Sequence, residues 1–487
     1  MPGPEKPREM LFVVTDENGK AGPEKRKLIR KHAMLGKNRG KTRNVKPVKM
    51  ESPCDAEDSM EYQDEGLGLL IRMRYPTIPR QAISELSLTQ FAVDVEPSVI
   101  HDLLKFSFIA KRVMYPLERH IMFHKNNKVD TMWIELWTSD AAYMHAAVFA
   151  SQAYVFHTTT GETPVAARRA IVHHSAALRL LRERLSMPKG DGKVSNATIS
   201  DSTILVVLYL TLHAHFMIDY KTAKHHMEGL RKIVDMRGGL IAFSYNTKVI
   251  IELLKCDLSI ALNNGTQPMF FNDPSKPLLP YDPTLLSAKE PKSSARKLLV
   301  EQGIDADLVQ AWSFLKTFCS TIDSAAEHKR QLPKEVLLNA MAPVMYRLLR
   351  MKSFDSSNVD EAVRLGLLIF SSHIFLSWQG VKSRHTYLPN TYRNCLLTLK
   401  LPSALPPQIF AWLLMIGSIA IFTTADDAWL MPWLRGNIEL CEAHSWSEVR
   451  EKLKECPWIN FLHDEPGQAR YDLAVSSHVQ MDDVTAP

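Results

Sequence analysis

The chain has 487 residues, of which 45% are hydrophobic and 23% charged, with a formal net charge of +6. These totals are those of a globular protein with room for a sizeable core. The positive charge is local: residues 1–50 hold fourteen Lys/Arg against five Asp/Glu, a net of +9, so the other 437 residues carry −3.

Six cysteines stand at 54, 256, 319, 395, 441 and 456, with no C-x-x-C pair. A disulfide framework is not expected in so long a chain without a secretory signal. The start, "MPGPEKPREM", is polar and proline-rich and does not read as one. The longest charge-free apolar runs, 365–378 and 409–422, have fourteen residues each. A membrane-spanning helix takes about 20, so both runs read as buried core helices, and no membrane partner is expected. A reducing intracellular compartment follows.

Residues 1–65 read as a disordered charged tail, first basic and then acidic. The stretch 25–43, "KRKLIRKHAMLGKNRGKTR", has nine Lys/Arg and no acid, while 51–66 has seven acids and no base. Neither block has enough apolar surface to offset the entropy of folding. A short basic helix near 23–36 is an exception. Pro23 suits its first turn, Gly36 its end, and Leu28, Ile29, His32 and Leu35 share one face.

From about 81 to 465 the pattern is helical. The run 133–156 reads as one long, central buried helix. The segment 164–185 begins with proline and carries an apolar stripe, and 200–216 begins with capping residues. In 220–240, Tyr220, Ala223, Met227, Leu230 and Val234 recur at helical spacing, and Gly238-Gly239 suit a left-handed cap. The last two segments read as a helical hairpin. A helix over 247–262 precedes a long surface connection, 263–293, with six prolines. Further helices are expected near 305–323, 333–352, 359–379, 406–425 and 436–455, and 466–487 reads as a flexible tail. Strand alternation is nearly absent. The expected fold class is all-α.

Signatures of catalysis are missing. There is no phosphate-binding G-x-x-x-x-G-K-[ST] loop and no G-x-S-x-G elbow. "GLGLL" (66–70) lacks the third glycine of a dinucleotide turn. His173, His174, His213, His215, His225 and His226 fall on three successive helices, but neighbours in sequence diverge by about 100° per residue on a helix. Core or surface histidines explain them better than a metal or a titrating switch. Asp426-Asp427 pair two carboxylates, yet solvated acids at a helix boundary are the simpler account. Met and aromatic residues in 133–156 and 409–430 suit core packing better than a ligand cavity. No catalytic residue, metal or cofactor is therefore expected, and the chain does not read as an enzyme.

The basic segment suits phosphate backbones, a nuclear import receptor or an anionic surface. The candidate contact residues are Arg26, Lys27, Arg30, Lys31, Lys37, Arg39, Lys41 and Arg43. No aromatic residue lies between 15 and 61, which argues against a single-strand stacking platform.

Several stretches resemble fungal-specific transcription-factor-like proteins. The tail "FVVTDENG…KRKLIRKHAM" is similar to an extended piece before a basic I-R-x-H-[AV]-M helix, here Ile29, Arg30, His32, Ala33 and Met34. "HHMEGLRKIVDMRGGL" (225–240) resembles an H-x-x-G-L-x-x-[IM]-V-x-x-R-G-G-[LI] signature. "KCDLSIALNNGTQPMF" (255–270) resembles a basic-x-Asp helix leading to a loop that ends in Pro and Phe. "WLLMIGSIAI…DDAWL" and "SWSEVREKLKECPWI" resemble the closing helices. The resemblance implies the all-α regulatory body called the fungal transcription factor domain. That body usually follows a six-cysteine binuclear zinc cluster. Cys54 is the sole cysteine near the amino terminus, so the likeness is to a zinc-less branch. It implies a nuclear regulator of transcription, of a metabolic or secondary-metabolite pathway, with other regulators as partners. A co-regulator or adaptor that does not bind DNA, and a small-molecule-sensing helical protein, are the alternatives.

Overall fold

A computed structural model describes residues 90–112, 115–123, 127–158, 164–186, 199–273, 281–282, 284, 286, 294–351, 354–355, 358–377, 385–399 and 405–476. All lie in one compact unit, 64–487; the basic arm, the acidic block and the short helix expected near 23–36 lie outside the described residues. Among the described residues the protein is all-α, with a single strand pairing of two residues a side.

The first elements are α1 (Pro97–Arg112), α2 (Pro116–His120), β1 (Met122–Phe123), α3 (Asn127–Ser139), α4 (Ala141–Thr158) and α5 (Pro164–Ser186). The single helix expected over 133–156 is thus two. Asp140 makes the break. Its carboxylate accepts the Tyr143 N–H at 3.0 Å, which caps α4, and receives Arg184 of α5 at 2.8 Å. The apolar residues on both sides of the polar Thr138-Ser139-Asp140 step make the segment read as one helix across the joint. Beyond it, Met144, Ala146 and Val148 are fully buried, as a central helix requires.

Next come α6 (Asp201–Phe216), α7 (Tyr220–Met236) and α8 (Thr247–Asn264). Side-chain oxygens begin all three. Ser200 accepts from Thr203 N–H, Asp219 from Thr222 N–H and Asn246 from Val249 N–H. Along α7 the buried stripe is Ala223, Met227, Leu230, Ile233 and Val234. It packs on α6 as the expected hairpin, and Gly238 and Gly239 leave it at φ 110° and 81°. Gly265 closes α8 at φ 64°. The connection after it does not lie wholly on the surface: Phe270 is 2% exposed.

The second half holds α9 (Ser294–Glu301), α10 (Ala306–Glu327), β2 (Gln331–Leu332), α11 (Lys334–Arg350), α12 (Val359–Phe375), α13 (Tyr387–Thr398) and α14 (Pro407–Ala420). β2 pairs in parallel with β1, Met122 opposite Gln331. α12 takes in the first of the two apolar runs as far as Phe375, and α14 takes in the second as far as Ala420. On α14 every residue from Ile409 to Ser418 is buried. Trp412 meets Trp312 of α10 edge-on at 4.6 Å and donates its indole N–H to Pro457 O at 2.9 Å. Truncating such a side chain to alanine costs about 3–5 kcal/mol. Among the described residues, no helix is long and apolar enough to cross a membrane.

The chain closes with α15 (Asp427–Leu440), α16 (Trp446–Lys454) and α17 (Asn460–Ser476). The helix expected over 436–455 is interrupted: Glu442 takes φ 53°, and Ser445 then caps α16 by accepting Glu448 N–H. The tail expected from 466 is helical as far as Ser476. Ala474 is 1% exposed and Arg470 reaches Asp427 of α15 at 2.9 Å, so burial and an ion pair hold this last helix in place.

Candidate functional site

The eight basic residues proposed from the sequence to meet DNA or an import receptor, Arg26, Lys27, Arg30, Lys31, Lys37, Arg39, Lys41 and Arg43, lie outside the described residues. Two clusters within the body draw on residues that the sequence singled out. The first is a set of cation–carboxylate pins around α7 and α8, and the second is a histidine layer across α4–α7.

Arg237 follows the last turn of α7. Its guanidinium donates to the Asp201 carboxylate at the start of α6 and to the Tyr245 hydroxyl at 2.6 Å. Tyr245 in turn donates to Asp201 at 2.6 Å, and the guanidinium lies 4.4 Å from the Phe243 ring centroid. Together these contacts tie the end of the hairpin to its beginning. Six residues earlier, Arg231 donates to Met269 O at 2.5 Å and sits over the Phe270 ring at 4.8 Å.

Asp257 is the other half of that pin. Its carboxylate is 2% exposed and accepts the N–H groups of Met269 (2.7 Å) and Phe270 (2.9 Å) and the Tyr346 hydroxyl of α11 (2.8 Å). Burial pushes its pKa up to about 6, against the pull of those three donors and of Arg231. Lys255, two residues earlier on the opposite side of α8, is also buried. It approaches Glu118 at 3.4 Å and the Tyr115 ring at 3.2 Å. The basic-x-Asp pattern at 255–257 therefore holds a loop and α2 against α8.

The histidine layer is built differently. His145 of α4 and His173 of α5 face each other, with Nδ1 atoms 2.8 Å apart. Phe149, one turn along α4, meets His174 at 4.6 Å and His213 of α6 at 4.5 Å. Burial lowers His145 to about 4, helped by His173 and Arg179, and it also lowers His173 and His174. His226 of α7 is lowered by burial and by His174. These rings are neutral at pH 7. His215 leaves the layer and stacks on His385 at 4.4 Å. The sequence grouped His173, His174, His213 and His226 of this layer but missed His145, whose partner is 28 residues away on another helix.

Asp426 and Asp427 do not share a proton. Each has its own arginine: Arg393 bonds Asp426 at 2.6 Å, and Arg470 bonds Asp427. Asp426 is not solvated as expected; it is 2% exposed. Burial alone would raise its pKa, yet Arg393, the Thr423 N–H and Trp429 bring it down to about 2. Its carboxylate, ionised at neutral pH, closes the capping box of this turn with Thr423.

Among the described residues, no group of three or more His, Cys, Asp or Glu is placed to hold a metal ion. No protein-family profile, curated protein or solved structure matches the chain.

Proposed function

We propose that the chain is a nuclear regulator of transcription, with an all-α regulatory body and a basic N-terminal arm. The observation that carries this reading is the segregation of charge: +9 within residues 1–50 against −3 over the rest. An arm of this composition gives sequence-independent affinity for phosphates, and it suits an import receptor equally. The residues assigned to that contact are Arg26, Lys27, Arg30, Lys31, Lys37, Arg39, Lys41 and Arg43. Specificity then comes from partner regulators that meet the body. The motifs behind the resemblance support a body of the fungal transcription factor type, regulating a metabolic or secondary-metabolite pathway. In this body they act as pins: Arg237 on Asp201, and Asp257 on the 269–270 loop. The reading includes no catalytic step.

The test is chromatin occupancy of the full chain beside a deletion of residues 1–50, each with and without a foreign import signal. Occupancy that needs the arm even when import is supplied supports DNA contact. Occupancy restored by the import signal alone makes the arm an address and the body the part that reaches chromatin. If the full chain occupies no locus above background, the regulator reading fails.

A further inference from the structure

His145 and His173 are the closest pair of titratable rings in the histidine layer, Nδ1 to Nδ1 at 2.8 Å with centroids 4.9 Å apart. Both rings are half-buried, so each keeps an edge toward solvent. The bond between them needs one nitrogen to carry a proton and the other to offer a lone pair. Two imidazole nitrogens this close also make the donor set of a chelate. With metal–nitrogen bonds of about 2.05 Å, donors at right angles stand about 2.9 Å apart, and donors at tetrahedral positions about 3.3 Å apart. The nitrogen spacing is near the right-angle value; with centroids 4.9 Å apart the two lone pairs face each other, so each ring must turn about its Cβ–Cγ bond to bring them onto one ion.

We propose that His145 and His173 bind a divalent transition-metal ion of tetragonal preference, Cu2+ or Ni2+, as a clamp between α4 and α5. Each imidazole then carries its proton on Nε2 and turns its Nδ1 lone pair to the ion. The proton that linked the rings moves to the outer nitrogen of its own ring, so the pair keeps its two protons. Water completes the coordination. His174 takes no part, because the next residue on a helix points about 100° away and its ring packs on Phe149. The neighbouring cations are partly offset, Arg169 by Glu96 and Arg179 by Glu183. The site stands independently of the regulator reading.

The test uses the full chain and Cu2+ or Ni2+ chloride in a buffer that does not chelate. Binding to the folded state raises the melting temperature with added ion until the site saturates, by about 2 °C or more. The rise reverses with EDTA. It disappears in His145→Gln and in His173→Gln, which keep a polar amide at each place, and persists in His174→Ala. No rise, or an equal rise in the double glutamine variant, overturns the proposal. Should a glutamine variant fail to fold, the Cu2+ electron paramagnetic resonance spectrum of the parent decides. Hyperfine structure from two nitrogens supports the clamp, and a spectrum without nitrogen coupling refutes it.

Discussion

The carboxylate of Asp257 accepts the backbone N–H of Phe270, thirteen residues further on, at 2.9 Å. With the Met269 N–H and the Tyr346 hydroxyl on the same carboxylate, one side chain satisfies three buried donors. Replacing it with alanine orphans all three, and each buried donor left unpaired costs about 1–3 kcal/mol. Asp257→Ala is therefore expected to lose about 3 kcal/mol or more, and Asp257→Asn, which keeps one acceptor, about half of that. Urea unfolding at pH 7 measures both. A loss below about 0.5 kcal/mol for the alanine variant would show that the loop finds other partners.

Arg237 works as a planar fork. It reaches Asp201 and Tyr245 together while its face lies on Phe243. A lysine ammonium cannot reproduce two directed bonds and a stack, so Arg237→Lys is not a conservative change. We expect it to cost about 1 kcal/mol and Arg237→Ala about 2 kcal/mol. Combined with Asp201→Asn, the losses should be less than additive, because both changes break one network. Strict additivity in a double-mutant cycle would disprove the coupling.

What the sequence made legible was local. Ser200 marks the start of α6 by its own chemistry, and the α7 stripe follows from spacing alone; the caps Asp219 and Asn246 emerge only from the structure. The polar Thr138-Ser139-Asp140 step does mark the joint at Asp140 in the sequence, but the apolar runs on either side hid it, and the sharing of the capping carboxylate with a distant Arg184 was not legible at all. Nor was α13 or α15, which carry prolines or break at a residue with positive φ. The pairing of His145 with His173 depends on how two helices are rotated against each other. That rotation is a property of packing, which no single window of sequence contains.

Asp323 of α10 tests the electrostatics of the C-terminal helices. It accepts Asn460 N–H at 2.9 Å at the start of α17. Burial pushes its pKa up to about 7, with Asp464 adding to the rise and Lys316 and Lys454 opposing it; Arg450 is a further charge nearby. A carboxyl raised in the folded state holds its proton more tightly there than in the unfolded chain. Its contribution is fully present below the ordinary value of 3.8, is lost as pH rises toward about 7, and amounts to at most about 4 kcal/mol. Asp323→Asn stays neutral and keeps the acceptor for Asn460. Its stability relative to the parent should therefore rise between pH 5 and pH 8.5. A difference independent of pH would mean that Asp323 ionises as freely in the fold as in water.

The basic arm makes the last prediction, through salt. If six of the eight residues Arg26, Lys27, Arg30, Lys31, Lys37, Arg39, Lys41 and Arg43 meet phosphates, log K falls with a slope of about −5 against log salt. Between about 50 and 200 mM salt the affinity of the full chain for duplex DNA then drops on the order of a thousandfold. Substituting one of the eight by glutamine should lower the slope by about 1 and weaken all sequences alike. An import receptor reads the same charges through acidic side chains and leaves no such counterion signature on DNA. A flat salt dependence, or no DNA binding at 50 mM, would therefore assign the arm to import and leave chromatin contact to the helical body or its partners.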